Sequence, residues 1–399
     1  MELILSSRKK LIDKYGYHNF KTIDFTLNRL KNELQKDGLR SIIIYVDDSN
    51  FLRPYGLRPA NPNNPEEIKN LIDNFQKRVE TDGVKIEYFL IIGGDDIIPF
   101  FRIPNPVYGP NGDPDKEIYS DSPYASTDDE YLVPERALGR IPDINSNNPK
   151  FLLDLLEHII KSHDETYNSE GDFGYSAEVW KEASEDVYQA MGRSQGLIYS
   201  PPIVARTLRK SFLNKKKLLY FNLHGMERTA SWYGELKERG ILTVAFNASQ
   251  LDTIEVEQAV IFSEACYSAN IFTKEPDSSI PLKFLERNVD CFVGSTMISY
   301  GAIAPPLTNA DVLAKYFFQY VREGLPYGIA FLNAKQDYAK KMIRLGLFHV
   351  DEVDAKTLLE FVLYGDPSIT WEKMETEREL VHTEIINGVI RRSYRRRKW

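Results

Sequence analysis

Two hydrophobic runs in this chain each stop at a reactive side chain. "KLLYFNLHG" ends at His224 and Gly225, and "AVIFSEAC" ends at Cys266, 42 residues after the histidine, in a chain with only six histidines and two cysteines. An ordinary thiol titrates near 8.5 and is mostly protonated at neutral pH, while its thiolate is the nucleophile. An imidazole beside it takes the proton, and the pair can then carry an acyl group as a thioester. Gly225 allows close backbone approach to a ligand, and the amides of Gly225 and Cys266 are candidates for an oxyanion hole. A lone cysteine is more often a buried core residue than a nucleophile. The joint pattern of strand, His-Gly, strand and Ala-Cys shifts that balance toward chemistry.

Such a pair needs a scaffold that holds it at one edge. "SIIIYVDD" (41–48) and "EYFLIIGGDD" (87–96) read as buried strands ending in acidic turns. Between them, "PEEIKNLIDNFQKRVE" (65–80) sets Ile68, Leu71, Ile72, Phe75 and Val79 on one helical face. Strand, helix, strand implies an α/β fold with a largely parallel sheet flanked by helices. The second half repeats the alternation with the His224 and Cys266 runs, "CFVGST" and two helical segments within 309–342. A Pro/Asn-rich stretch before the amphipathic "KFLLDLLEHIIKSH" (150–163) divides the chain into an N-terminal α/β subdomain, 1–145, and a second subdomain, 146–375. A C-terminal extension, 376–399, follows. In parallel sheets functional side chains gather at the carboxyl ends of strands, and both His224 and Cys266 stand at such ends.

Composition narrows the classes. With 42% hydrophobic and 27% charged residues over 399 positions the chain is a folded protein of one or two domains. Two cysteines, Cys266 and Cys291, make neither a disulfide framework nor a Cys-rich zinc site. The start, "MELILSSRKK", has the reverse order of a secretory signal, and no run nears the ~20 apolar residues of a membrane span. The expectation is a cytoplasmic protein with no membrane partner. The net charge is −8, with +6 in the last nine residues "RRSYRRRKW" and −14 in the remainder, which makes nucleic acid an unlikely partner. His158 and His163 lie five apart and do not share a helical face as a metal pair would, so no metal site is assigned.

The order His then Cys excludes the papain arrangement and matches caspases, whose histidine lies roughly 50 residues before a Gln-Ala-Cys signature. At this point the chain resembles the gingipain-like family of caspase-like (clan CD) cysteine peptidases. The blocks that carry the likeness are "LHGMERTASWYG" (223–234), "FSEACYSANIF", "CFVGSTMISYGAIAPP" (291–306) and "LYGDPSIT" (363–370), with "LIIGGDDIIP" (90–99), "YSDSPYAS" (119–126) and "ALGRIP" upstream.

The resemblance implies a caspase-like fold over about 87–372 and an endopeptidase with His224 as general base and Cys266 as nucleophile. It places Asp121 at the base of the pocket for the residue before the cut, where a carboxylate would select Arg or Lys. Ser295, Thr296 and Tyr300 would form the pocket wall and the edge along which an extended protein or peptide substrate lies. Asp95 or Asp96 would orient His224 through its second nitrogen. No cofactor is required. Relatives bind calcium, and "STDDEY" (126–131) is the candidate segment for it, although the EF-hand spacing is absent.

Gingipains carry a prosegment. The first 85 residues are accordingly either additional subdomain structure or an inhibitory segment, and restraint by an activating protein, a ligand or self-cleavage is expected. The basic tail is either a plug or self-substrate for an acidic cleft or an unstructured extension, the latter slightly favoured. Two other classes remain: a catalytically silent caspase-like binding scaffold, against which the intact His224/Cys266 pair speaks, and a nucleotide-binding protein, which lacks a phosphate-cradling glycine loop. A partner-activated zymogen of different specificity, or a transpeptidase, would use the same acyl-enzyme residues.

Overall fold

The computed structural model describes residues 1–110, 112–129, 131–165, 171–192, 196–236, 240–344, 351–370, 379–386 and 389–395. Its strands are β1 (Glu2–Ser6), β2 (Ser41–Tyr45), β3 (Tyr88–Ile92), β4 (Phe101–Pro104), β5 (Glu117–Ser120), β6 (Ala137–Ile141), β7 (Asp172–Ala177) and β8 (Leu197–Ser200). They continue with β9 (Leu218–Asn222), β10 (Ser231–Glu235), β11 (Leu242–Asn247), β12 (Val260–Ser263), β13 (Cys291–Ser295), β14 (Phe361–Gly365), β15 (Glu379–Ile386) and β16 (Val389–Arg395). Ten of these form one sheet in the order β2-β1-β3-β6-β14-β13-β12-β9-β7-β8. Every ladder in it is parallel except β13 with β14. The sheet therefore consists of two parallel blocks running in opposite directions, and β14, contributed by the far end of the chain, stitches the second block to β6 of the first.

Local signals explain the helices. Asn64 caps Pro65–Glu80 by accepting from the amides of Glu66 and Glu67; proline opens that helix, glutamates fill its first turn and Lys77 and Arg78 its last. The five residues expected on its inner face are all buried. The helix Lys150–Asp164 forms where its amphipathic run predicts and buries His158 and His163. His158 pairs with Asp290 at 3.1 Å and His163 with Asp366 at 3.1 Å.

The first 85 residues are integral to the sheet. β1 is fully buried and lies between β2 and β3, so its removal would unzip two ladders. The long helix Arg8–Lys36, capped by Ser7, leads from β1 to β2 and bends at Gly16, whose φ of 79° glycine adopts without steric cost. β1 is thus a strand of the main sheet, paired on both sides. At the other end, β15 and β16 pair as an antiparallel hairpin, so residues 391–395 are in a strand; residues 396–399 of the basic tail lie outside the described residues. Among the described residues no helix is long and apolar enough to cross a membrane.

Candidate active site

β9 and β12 are adjacent and parallel, with Leu218 opposite Val260 and Phe221 opposite Ser263. That register offset is 42, the same as the separation of His224 from Cys266. The two side chains therefore leave the sheet at the same height from neighbouring strands, which lie about 4.8 Å apart. The contact is tight enough to demand glycine after the histidine: a Cβ on Gly225 would sit 1.9 Å from the Cys266 carbonyl oxygen. Gly225→Ala is accordingly expected to push the His224 loop away from Cys266 and, if the two react as a pair, lower kcat/KM by about 10²-fold or more, since a misplacement near 1 Å costs that much. A thermal melt run beside the kinetics checks that the fold survives, and retention of wild-type kcat/KM would refute the packing argument.

Past β12 the chain makes an elbow. Tyr267, directly after Cys266, has φ of 55°, a left-handed conformation uncommon for a residue with a side chain. The elbow is fixed by the Tyr267 amide on the Met297 carbonyl (2.8 Å) and by the Tyr267 hydroxyl on both oxygens of Asp115 (2.9 and 3.0 Å). Among the described residues no backbone carbonyl accepts from the amides of Gly225 or Cys266, and the Cys266 amide faces its own sulfur.

The thiol rests against Ser299: the Ser299 amide lies 3.4 Å from Sγ, and the Ser299 carbonyl oxygen 3.6 Å. Burial pushes the Cys266 thiol up to about 11, opposed by the Ser299 amide. Burial therefore favours the protonated thiol, and a base beside it would have to take the proton during reaction. The imidazole of His224 meets the Glu235 carboxylate through Nε2 at 2.7 Å, the nitrogen donating, and the ring of Trp180 packs on it with centroids 4.3 Å apart. The Ser299 loop is itself tied down. The Ile298 amide donates to Asp115 at 3.2 Å, Lys356 donates to the Ile298 carbonyl, and the Ala302 amide donates to Asp311 at 2.5 Å. Lys356 is enclosed between Asp113 (2.9 Å) and Glu360 (2.8 Å), all three without solvent exposure.

A profile of peptidase family C25 matches residues 21–372. The chain belongs to that family. It is a cysteine-type peptidase of the gingipain group with a caspase-like α/β fold. Solved structures similar to it include the Arg-specific cysteine proteinase gingipain R (TM-score 0.61, 14% identity, covering 92% of this chain and 77% of that one). A structure described only as a protease has TM-score 0.61 and 13% identity, with coverage of 98% and 84%. The complex of the pro- and mature domains of the Porphyromonas gingivalis enzyme has TM-score 0.58 and 14% identity, with coverage of 92% and 79%. No curated protein sequence matches the chain.

Several residues expected at the site of this peptidase stand elsewhere. Asp121 is 3% exposed and its two oxygens take Nε and an Nη of Arg140 at 2.9 and 2.5 Å, while Arg140 is wholly buried. Its carboxylate is consumed by the fold and has no free face for a substrate cation. A second buried cation, Lys335, donates to Ser122 next door and is pulled down to about 7 by burial. Asp95 forms a two-bonded pair with Arg102 (2.6 and 2.6 Å), and Asp96 pairs with Lys14 at 2.7 Å, so neither orients His224. The antiparallel relation of the two sheet blocks explains this, because the carboxyl end of β3 points to the edge opposite β12. Ser295 and Thr296 are fully buried; their hydroxyls donate to the Met297 and Tyr119 carbonyls at 2.8 and 2.7 Å, closing strand ends instead of lining a wall. Tyr300 is half-buried on the Ser299 loop, its hydroxyl 3.4 Å from Asp113, and is the one expected wall residue that the structure leaves beside the nucleophile loop. Within 126–131, Glu130 lies outside the described residues, and among the described residues no three His, Cys, Asp or Glu side chains cluster to hold a metal.

The residues that sequence reasoning passed over are Glu235, Trp180, Asp113, Asp115, Lys356 and Glu360. The two aspartates sit in "GPNGDPDKE", a turn between β4 and β5 that looks like solvent-exposed punctuation, yet it carries the N-terminal subdomain's contribution to the nucleophile elbow. Glu235 follows the Trp-Tyr-Gly segment and had a signal only in its proximity to His224.

Proposed function

We propose that this peptidase is an endopeptidase that cuts after Arg or Lys, with Asp115 as the carboxylate that receives the basic side chain. The observation that carries the specificity is the placement of Asp115. It accepts from the hydroxyl of the residue after the nucleophile and from the amide of Ile298, next to the Ser299 that touches Sγ. Those links keep its oxygen within about 10 Å of the sulfur. An extended arginine or lysine spans about 6–7 Å from Cα to its charge, so a side chain entering beside Cys266 reaches it. Its direct hydrogen-bond donors are neutral, and burial pushes its carboxyl above the usual range, which a substrate cation would reverse.

In the reaction the Cys266 S–H proton passes to His224 as sulfur attacks the carbonyl carbon. The oxyanion is taken by the Gly225 and Cys266 amides, each donor contributing about 10²–10³ in rate. The C–N bond breaks with the amine leaving on the imidazolium proton, which yields a thioester. Water then gives a proton to the imidazole and its oxygen to the carbonyl carbon, releasing the acid and restoring the thiol. Since a solved relative is a complex of pro- and mature domains, and the thiol here rests protonated on Ser299, restraint by a partner protein or segment is part of the same proposal.

The test is a matched peptide series with Arg, Lys, Leu or Asp before the cut, assayed on wild type and Asp115→Asn. The expected result is a preference for Arg or Lys, read as the ratio of cleavage after Arg to cleavage after Leu, that falls about 10²-fold or more in the variant, so that any general loss through the Tyr267 and Ile298 contacts cancels. An undiminished Arg preference in Asp115→Asn, or a wild-type preference for Leu or Asp, would overturn the assignment.

A further inference from the structure

The only carboxylate bonded to the catalytic imidazole among the described residues comes from the strand that follows the histidine itself. β10 turns back so that Tyr233 and His224 exchange two backbone hydrogen bonds of 2.8 Å, and Glu235 lies two residues further along. Its Oε2 meets His224 Nε2 at 2.7 Å, with both side chains about one quarter exposed. The strand has little freedom to drift: a Cβ on Gly234 would stand 2.3 Å from Ser200, so β10 lies flush on the end of β8. On the remaining face of the imidazole, Trp180 fixes the ring plane.

We propose that Glu235 is the positioning residue of this active site, holding His224 as the Nε2–H tautomer so that the Nδ1 lone pair is the base for Cys266. This rests on the assignment of His224 and Cys266 as the reacting pair. A carboxylate can only accept, so the bond at Nε2 requires the proton to be there, and Nδ1 is left as the nitrogen that can receive a proton from sulfur. When Nδ1 takes the thiol proton, the charge that develops on the ring faces the carboxylate directly. Glutamine in its place is nearly isosteric, yet its amide can donate to Nε2 and stabilise the opposite tautomer. That would turn an N–H toward the sulfur.

The experiment compares wild type, Glu235→Gln, Glu235→Asp and Cys266→Ala by steady-state peptide hydrolysis. It also compares the ¹⁵N spectrum of ring-labelled His224, assigned with His224→Ala. The expected result is a wild-type Nε2–H signature that shifts toward Nδ1–H in Glu235→Gln. With it goes a fall of about 10²–10⁴-fold in kcat at nearly constant KM, partly recovered in Glu235→Asp. A group that only stabilised the hairpin would lower the melting temperature and leave the tautomer and kcat of the folded fraction unchanged, and that outcome overturns the proposal. So does a wild-type Nδ1–H signature. If wild type and Cys266→Ala hydrolyse peptide equally, the reading of the nucleophile fails, while the tautomer measurement still decides the role of Glu235.

Discussion

Cys266→Ala is expected to lower peptide hydrolysis by about 10⁴-fold or more, while Cys291→Ala leaves kcat within a factor of two. The two thiols differ in what surrounds them. Cys291 opens β13 in the middle of the sheet, without solvent exposure, and burial pushes its thiol well above the ordinary range. Cys266 stands past the end of β12, half-buried, level with His224 on the next strand. Losing a nucleophile that acts as a unit with its base removes nearly all the chemistry the unit performs, and only oxyanion and binding effects remain. The size of the loss also separates this peptidase from a binding scaffold, for which neither cysteine would matter to any hydrolysis. Steady-state assays of both variants, at protein concentrations set by active-site titration of wild type, check the pair. Equal activity in wild type and Cys266→Ala would place the chemistry elsewhere.

Arg140→Met is expected to destabilise the fold by about 3–5 kcal/mol, the cost of leaving one member of a buried ion pair uncompensated. Arg140 is wholly enclosed, binds Asp121 through two parallel bonds, gives both Nη1 donors to the Gly93 and Ile98 carbonyls, and lies with its guanidinium 4.0 Å from the Phe100 ring centroid. Asp121→Ala should cost a similar amount, because a buried guanidinium then lacks its anion. Replacing both at once, Asp121→Ala with Arg140→Met, is expected to recover part of the loss, since two neutral side chains carry no stranded charge. Urea melts of the four proteins form a double-mutant cycle. The prediction matters for function because loss of activity in Asp121→Ala would otherwise be read as loss of a substrate pocket. Additive single-variant effects, or an Asp121→Ala protein as stable as wild type with altered specificity, would restore Asp121 to the pocket.

The contrast between the cysteine and the aspartate shows what a single sequence can reveal. The spacing of His224 and Cys266 was legible because it matches a strand register: two apolar runs in adjacent parallel strands keep their ends level, and the count of 42 is the offset between β9 and β12. Helices such as Pro65–Glu80 were legible for the same local reason, with cap, charge and apolar face all within one segment. Asp121 was misread because Ser-Asp-Ser-Pro looks alike whether its carboxylate faces a cleft or an arginine on β6, and nothing local announces Arg140. Asp115 was missed because its partner Tyr267 lies 152 residues away, across the junction between the two parallel blocks. Asp95 and Asp96, expected from the family resemblance to orient His224, pair instead with Arg102 and Lys14. The single antiparallel ladder between β13 and β14 sends the end of β3 to the far edge, and only the complete sheet order exposes that.

The most direct test of the site is to trap the acyl-transfer step. Wild type, His224→Ala and Cys291→Ala would be incubated with an arginyl peptide acyloxymethyl ketone, digested, and the adduct located by mass spectrometry. An adduct on Cys266 that forms in wild type and Cys291→Ala and is lost in His224→Ala and in denatured protein is the predicted result. An adduct on Cys291, or one on Cys266 that forms equally well without His224 or without the fold, would contradict it.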